Sequence, residues 1–195
     1  MRKIKKIYEN PIDDILIDIA EYLCPYFKKC YITPNNLTTI SLITGVLSIF
    51  FLFNNMYFYS IIYLFLSYFF DIMDGNYARK YNMETEFGDM FDHIKDLLVN
   101  ISIFGLLMYK TYKINIYLMI IYFFIIVIFF ILMNVHLGCQ ERIYDNNTNN
   151  NFLHNNRFLC KKKKYILYTK YFGCATFYLV IFILIYNLNN YKKLE

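Results

Sequence analysis

The sequence predicts an all-α integral membrane protein with about five transmembrane helices, preceded by an N-terminal amphipathic helix at the membrane interface. Of its 195 residues, 58% are hydrophobic and only 18% are charged, whereas soluble domains average about 25% charged residues. No charged residue occurs between positions 30 and 70, and about 20 apolar residues are enough for one crossing of a bilayer. These observations exclude a soluble globular enzyme and an intrinsically disordered chain.

The amphipathic helix is predicted at residues 10–23. Asn10 can cap it, and Pro11 suits its first helical position. Its apolar residues recur at helical spacing and are Ile12, Ile15, Leu16, Ile19, Ala20 and Leu23. The opposite face is acidic and carries Asp13, Asp14, Asp18 and Glu21. We therefore expect an interfacial helix that the preceding basic residues hold near anionic lipid. These basic residues are Arg2, Lys3, Lys5 and Lys6.

Five spans are predicted after this helix. The charge-free run of 41 residues is too long for one crossing and contains one interior polar pair, Asn54-Asn55, at which it must fold back. The spans are predicted at residues 37–53, 57–70, 88–109, 114–137 and 165–188. The polar stretch 138–164 is predicted to be a loop or a short surface helix. We divide the chain into a cytosolic N-terminal segment, residues 1–35, and a membrane-embedded domain, residues 36–195.

The distribution of basic residues predicts the orientation of the spans. If the N-terminus is cytosolic, the cytosolic segments hold 14 Lys and Arg residues and the opposite side holds 4. Cytosolic loops of membrane proteins carry such an excess. We therefore expect the turn between the second and third spans to face the cytosol.

The five cysteines are Cys24, Cys30, Cys139, Cys160 and Cys174. Their number is odd and they form no Cys-x-x-Cys pair, so the sequence suggests neither a zinc site nor a disulfide framework. We expect free thiols on a reducing side of the membrane.

Acidic residues are concentrated around the turn between the second and third spans. Seven of the 15 Asp and Glu residues lie between positions 71 and 96, and an unpaired carboxylate within a membrane costs several kcal/mol. Asp71 and Asp74 are three residues apart and therefore project from one helix face. Asp92 and Asp96 are four residues apart and do the same. A turn near residues 80–87 makes these helices antiparallel neighbours, and four converging carboxylates suit Mg²⁺ or Mn²⁺.

Small residues and one guanidinium accompany these carboxylates. Gly75, Ala78 and Gly88 allow a ligand or a neighbouring helix to approach the backbone. Arg79 can neutralise part of the acidic cluster or bind a phosphate. A carboxylate-metal cluster beside small residues indicates a diphosphate site.

The string Asp71-x2-Asp74-Gly75-x2-Ala78-Arg79-x8-Gly88-x3-Asp92-x3-Asp96 resembles the signature of the CDP-alcohol phosphatidyltransferase family. It matches that signature at all eight fixed positions and at every spacing. The segment Thr33-Pro34-Asn35-Asn36-Leu37-Thr38 is similar to the Pro-Asn-x-[Leu/Ile]-Thr segment before the first membrane helix of the family. The resemblance covers residues 25–110 well and the remainder as a hydropathy pattern.

This resemblance implies that a substituted phosphate moves from a CDP-alcohol to the hydroxyl of a second alcohol, with release of CMP. It implies that Asp71, Asp74 and Asp92 hold a divalent metal. Asp96 would take the proton from the attacking hydroxyl and help to hold a second metal. The residues that would border the nucleotide are Gly75, Ala78, Arg79 and Gly88.

Three further residues are candidates for the site. Asn35 belongs to the segment before the first membrane helix. His93 lies about 100° round the helix from Asp92, which favours a packing or interfacial role. His136, at the cytosolic end of the fourth span, is a second candidate base.

The substrates remain open at the level of sequence. The short chain favours CDP-diacylglycerol as donor and inositol or a similar small polyol as acceptor. Phe91-Asp92-His93 instead resembles the branch that uses CDP-choline or CDP-ethanolamine and diacylglycerol. A non-catalytic carrier of divalent cations would use the same carboxylates but would not require the glycine, alanine and arginine framework.

The resemblance also sets the expected partners and location. The partners are a CDP-alcohol, an alcohol acceptor and membrane lipids, with no nucleic acid, and a homodimer is compatible with this assignment. We expect a multi-pass membrane protein whose active site faces the cytosol.

Overall fold

The computed structural model describes residues 2–144, 157–160 and 162–192. Within these ranges the chain is helical and contains no strand. The helices are α1 (Pro11–Lys29), α2 (Pro34–Phe53), α3 (Tyr57–Tyr81), α4 (Glu86–Ile114), α5 (Ile116–Ile143), α6 (Ile166–Thr169) and α7 (Cys174–Lys192). The predicted all-α architecture is confirmed.

Among the described residues, four helical segments are long and apolar enough to cross a membrane. They are Pro34–Phe53, Glu86–Ile114, Ile116–Ile143 and Lys163–Tyr191. The helix α3 is also long enough, with 25 residues, but its tyrosines and its charged last turns make it less apolar. The helices α2 and α3 pack along each other as a helical hairpin. With α3 added to the four apolar segments, the described residues contain five long helical segments, which is the number of predicted spans.

The predicted fifth span, residues 165–188, is not one continuous helix. Short helical turns occupy residues 163–172, and α7 begins only at Cys174. A Cβ at Gly173 would lie 2.7 Å from the Cβ of Asn10, so the N-terminal segment packs closely where the span is interrupted. Of the predicted polar stretch, residues 138–143 complete α5, whereas residues 145–156 and 161 lie outside the described residues.

The helix α1 begins as predicted. The side chain of Asn10 accepts hydrogen bonds from the backbone N–H groups of Ile12 and Asp13, and a proline opens the first turn. The helix continues beyond the predicted end to Lys29, because its buried side extends one turn further through Cys24. It packs mainly against α3.

The apolar residues of α1 are divided between a side that is buried against the protein and a side that is exposed. Leu16 and Ala20 are buried against the protein, whereas Ile15 and Ile19 are 61% and 44% exposed. A helix that lies at a membrane interface needs such an outward apolar face to contact lipid.

Asp13 was predicted on the polar face of α1, and this placement is wrong. Asp13 is buried and accepts hydrogen bonds from the Tyr68 hydroxyl on α3 and from the backbone N–H of Ala175 in α7. Burial raises the pKa of Asp13 to about 6, so the carboxylate is largely ionised at neutral pH and suits the N-terminus of α7. This one carboxylate connects α1 to both α3 and α7.

The basic residues at the N-terminus pair with acidic residues of the same chain. Arg2 and Lys6 both pair with Asp18 on α1. Lys3 pairs with Glu141 on α5. These three residues thus tie the N-terminal segment to α1 and α5, and their attraction to anionic lipid stays a prediction.

The helix α2 packs against both α3 and α4 through a face of small residues. Ser41 and Ser67 each donate a hydrogen bond of 2.8 Å to the backbone carbonyl of the other. About two helical turns further along α2, Ser48 donates to the carbonyl of Ser60 at 2.9 Å. Gly45 lies between these two contacts. Small residues of this kind allow helix backbones to approach closely in membranes, so α2 is the helix around which α3 and α4 are arranged.

Cys139 and Cys160 form a disulfide, with their Cα atoms 5.0 Å apart. The remaining cysteines, Cys24, Cys30 and Cys174, are free. The prediction that no disulfide forms is therefore wrong. The 21-residue separation carries no motif, and the two cysteines meet only because the segment before α6 returns to the end of α5.

We expect Gly45→Ala to destabilise the protein. A Cβ at this position would lie 2.7 Å from Cγ2 of Val99, and valine is stiff about its first side-chain torsion, so α2 and α4 must move apart. Overpacking of this kind costs about 1–3 kcal/mol.

The matched control is Gly105→Ala in α4, where a Cβ meets nothing within 4 Å. This variant should be neutral or slightly stabilised, since alanine favours helix more than glycine does. Thermal unfolding in detergent measures both effects. Equal transition midpoints for the two variants would contradict the close packing of α2.

Candidate active site

Three of the four predicted aspartates converge between α3 and α4. Asp71 on α3 and Asp92 and Asp96 on α4 each offer a carboxylate oxygen, and these oxygens lie within 4.8 Å of one another. Their side chains are 23%, 28% and 41% exposed. The site is therefore partly open and not sealed inside the bundle.

The helices α3 and α4 are not packed side by side, as the predicted turn suggested. Both pack against α2, and they approach each other closely at few points. The short connection between them begins at Asn82, whose left-handed conformation ends α3. The carboxylates consequently lie between two helices that make few close contacts with each other, and we call this region the gap.

A lysine occupies the middle of the carboxylate group. The ammonium of Lys95 pairs with Asp71 and lies 2.9 Å from Oδ1 of both Asp92 and Asp96. It also donates a hydrogen bond of 3.2 Å to Ser41 Oγ on α2. The side chain is 1% exposed, so it reaches the carboxylates from the packed side of α4. The cation that pairs with these three carboxylates is thus Lys95, which the sequence analysis did not consider for the site, and the two alternative roles predicted for Arg79 stay predictions.

Asp74 lies one turn further along α3 and is almost fully buried. Its Oδ2 accepts a hydrogen bond of 2.5 Å from the hydroxyl of Thr38 on α2. The start of α2 has the expected form, with Thr33 as N-cap and Pro34 in the first turn. This fourth aspartate is therefore oriented by α2 and stands beside the group of three.

Gly75, Ala78 and Arg79 lie on α3 beyond Asp74. The Arg79 guanidinium covers Gly75, because a Cβ on that glycine would lie 3.3 Å from Nη1 of the arginine. Arg79 interacts electrostatically with Glu84, Glu9 and Asp74. A positive charge is thus held at the end of the site that faces the α3–α4 connection.

Gly88 belongs to the first turn of α4. Thr85 caps this helix by accepting a hydrogen bond of 3.0 Å from the Gly88 N–H. A Cβ on Gly88 would lie 3.1 Å from Oδ1 of Asn35. The structure therefore places Asn35, at the start of α2, directly beside Gly88 at the start of α4.

The two candidate histidines have different surroundings. His93 is partly exposed, and its Nδ1 lies 3.9 Å from Oδ2 of Asp92. His136 is buried, with its ring nitrogens 3.3 Å from Thr169 Oγ1 and 3.1 Å from Gln140 Nε2. Gln140 in turn donates to Glu9. His136 thus belongs to a polar network that joins α5 to the N-terminal segment, and its role as a base stays a prediction.

An apolar groove of about 530 Å³ lies further along α2 and α4. Its lining includes Val46, Phe50 and Gly105. On α4 it begins within one turn of Val99, which itself follows Lys95 by one turn. The groove therefore lies about two helical turns further along α4 than Lys95, and no residue of the carboxylate group lines it.

A family model described as CDP-alcohol phosphatidyltransferase matches residues 31–194. The match includes every residue of the carboxylate group and extends far beyond Asp96, at which the sequence motif ends. The chain belongs to the CDP-alcohol phosphatidyltransferase family. No curated protein and no solved structure matches it. As a CDP-alcohol phosphatidyltransferase, this protein is a membrane enzyme of phospholipid biosynthesis.

Metal dependence is general in CDP-alcohol phosphatidyltransferases, and the donor set of this member fits it. Carboxylate oxygens are the ligands that hard divalent cations prefer. Asp71, Asp92 and Asp96 present three such oxygens within 4.8 Å, and within the described residues they form the one group of this kind.

Sequence reasoning missed two residues of the site. Lys95 follows Asp92 by three positions and directly precedes Asp96, and a lysine inside a predicted span is costly unless it is paired. That cost is the signal that could have identified it. Thr38 could not be found in this way, because its partner Asp74 lies 36 residues away.

Proposed function

We propose that this enzyme transfers the phosphatidyl group of CDP-diacylglycerol to inositol or a similar small polyol, with release of CMP, at a site that faces the cytosol. The observation that carries the proposal is the convergence of Asp71, Asp92 and Asp96 within 4.8 Å at the gap between α3 and α4. Transfer of a phosphate group needs charge neutralisation and alignment more than covalent chemistry from the protein. A group of partly exposed carboxylates meets the first need.

The cation would be Mg²⁺ or Mn²⁺, held by Asp71, Asp92 and Asp96 with Asp74 beside them. When bound, it supplies positive charge to the diphosphate and to the departing CMP. The chain itself orients the ligands, since Lys95 fixes one oxygen of each of the three carboxylates and Thr38 fixes Asp74.

Asp96 is proposed as the general base. It is the most exposed of the three carboxylates, at 41%, so an acceptor in the gap can reach it. The acceptor oxygen attacks the phosphorus that bears the diacylglycerol, the bond from this phosphorus to the bridging oxygen breaks, and CMP leaves with that oxygen. The proton of the acceptor hydroxyl passes to the Asp96 carboxylate.

The nucleotide is proposed to lie along Gly75, Ala78, Arg79 and Gly88. Arg79 supplies a guanidinium, which suits phosphate oxygens, and Asn35 adds an amide beside Gly88. His93 is proposed to line the edge of this region next to Asp92.

Access to the site supports one lipid substrate and one polar substrate. The apolar groove along α2 and α4 lies where acyl chains would extend from a head group at the carboxylates. The predicted orientation opens the α3–α4 connection to the cytosol, from which a polyol can arrive. A cation carrier would gain nothing from an ammonium fixed in the middle of its carboxylates.

Membranes that contain the protein should form product from CDP-diacylglycerol and inositol. Parallel reactions would replace inositol with serine or glycerol phosphate, or supply CDP-choline or CDP-ethanolamine with diacylglycerol. Product in the last pair alone would overturn the proposed donor and favour the branch that Phe91-Asp92-His93 resembles. Incorporation of labelled CMP into CDP-diacylglycerol, with the phosphatidyl product supplied as the source of the phosphatidyl group, tests the donor by the reverse reaction. Metal uptake without nucleotide turnover would overturn the enzymatic proposal.

Asp71→Asn, Asp74→Asn and Asp92→Asn should each abolish turnover at millimolar Mg²⁺. Each change removes a negative charge from a site whose transition state depends on bound metal. Asp89→Asn is the matched control, because Asp89 is exposed in the first turn of α4. Substantial activity in two of the three variants would mean that these carboxylates have a structural role.

Asp96→Asn should lower the rate of transfer by about 10² to 10⁴, the usual effect of losing a general base. The affinity for CDP-diacylglycerol should fall less than the rate of transfer, since the other carboxylates remain. Measurement of binding and single-turnover rates on the same preparation separates the two effects. An equal loss of both would assign Asp96 to metal binding alone.

A further inference from the structure

The short helical turns at residues 163–172 are held against the bundle by their inner side. Ile166 is fully buried. It belongs to a cluster that also contains Ile4, Cys139 and Cys160. The side chain of Asn10 donates a hydrogen bond of 2.7 Å to the backbone carbonyl of Lys170. These contacts fix the turns at the end of the bundle where α5 ends and α7 begins.

The outer side of the same turns is aromatic and exposed. Tyr168 and Tyr171 are 74% and 57% exposed, and Tyr165, Leu167 and Phe172 are exposed as well. Tyrosine rings are enriched where a membrane protein meets the boundary between water and lipid, because the ring is apolar and its hydroxyl is polar. The composition of this side therefore suits the level of the lipid head groups.

The length of α7 places the turns at that level. The helix has 19 residues and, at about 1.5 Å per residue, is about 28 Å long. This is close to the roughly 30 Å of the hydrocarbon core of a bilayer, so α7 can cross the core by itself. Residues 162–172 are then left outside the core, on the side of the membrane at which α5 ends.

Three consecutive lysines open this segment. Lys162, Lys163 and Lys164 are all exposed. None of them forms an ion pair with an acidic residue in the described part of the chain, whereas Arg2 and Lys3 in the N-terminal segment are both paired. Three positive charges thus stand at the head-group level without a described acidic partner, directly before the exposed rings.

Anionic phospholipids have the complementary chemistry. Their head groups carry negative phosphates at the same depth, and clustered lysines beside a membrane helix attract them. We propose that residues 162–172 form a binding surface for anionic phospholipids of the surrounding membrane, with the three lysines on the lipid phosphates and the tyrosines among the head groups. The inference depends on neither the proposed substrates nor the proposed metal ligands.

The test measures lipid retention by native mass spectrometry of the purified full chain in detergent. Phosphatidylglycerol, which is anionic, and phosphatidylcholine, which is zwitterionic, are added separately at equal concentrations. The wild-type chain should retain phosphatidylglycerol at least about 5-fold more strongly, the attraction expected of a single lysine near anionic lipid. The combined variant Lys162→Gln/Lys163→Gln/Lys164→Gln should lower this ratio by about threefold or more.

Two controls separate a charged surface from net charge. Replacing the same three lysines by arginine keeps the charges and should keep the ratio. The combined variant Lys5→Gln/Lys29→Gln/Lys113→Gln removes three charges at exposed positions that are far apart in the sequence, and it should also keep the ratio. Circular dichroism checks that each variant is helical.

Equal retention of the two lipids by the wild-type chain would overturn the inference, whether or not any variant folds. An undiminished ratio in the folded glutamine variant would overturn it too. Displacement of phosphatidylglycerol by inorganic phosphate at equal concentration would point to a site for free anions and not for lipid. If the glutamine variant lost affinity for CDP-diacylglycerol but kept the ratio, the lysines would face the donor, and the inference would be wrong.

Discussion

Carboxylates within a membrane bundle must be compensated, and here the ammonium of Lys95 pairs with three of them. Lys95 extends from α4 to Asp71 on α3 and to Ser41 on α2, so three helices meet at one charged centre. The same ammonium also holds one oxygen of Asp92 and one of Asp96. The ion pairs that make the acidic residues tolerable within the bundle therefore also fix the positions of the proposed metal ligands.

The position of this centre follows from the close packing of α2. Ser41, Gly45 and Ser48 replace bulky side chains along one face, which brings the backbone of α2 near α3 and α4. Because α3 and α4 both pack against α2 and make few close contacts with each other, the carboxylates lie between them without being buried by helix packing. The polar atoms of the serines are satisfied by neighbouring carbonyls, so the packing costs no unpaired hydrogen-bonding group.

The N-terminal segment is part of this arrangement. Asp13 accepts from Tyr68, whose ring contacts Tyr178 at 4.3 Å between centroids. The Tyr178 hydroxyl accepts a hydrogen bond from Asn100 on α4, which also donates to the backbone carbonyl of Asp96. A chain of contacts thus runs from α1 through α3 and α7 to the proposed base, although α1 itself lies outside the membrane-spanning helices.

The sequence by itself determined the features that depend on local order. The charge-free run and the helical spacing indicated the all-α membrane fold, the cap at Asn10 indicated the start of α1, and the spacing of the aspartates indicated the family. Each of these is a property of a few neighbouring residues, since helix periodicity and capping act within one or two turns.

The tertiary structure alone decided which distant groups meet. Asp13 is buried because Tyr68 and Ala175 reach it from far along the chain, and Cys139 meets Cys160 because the chain returns to α5. Gly173 interrupts the last span because Asn10 packs against it. Lys95 lies among three of the carboxylates, because the direction of a side chain depends on how its helix is rotated against its neighbours, and spacing within one helix does not specify that rotation.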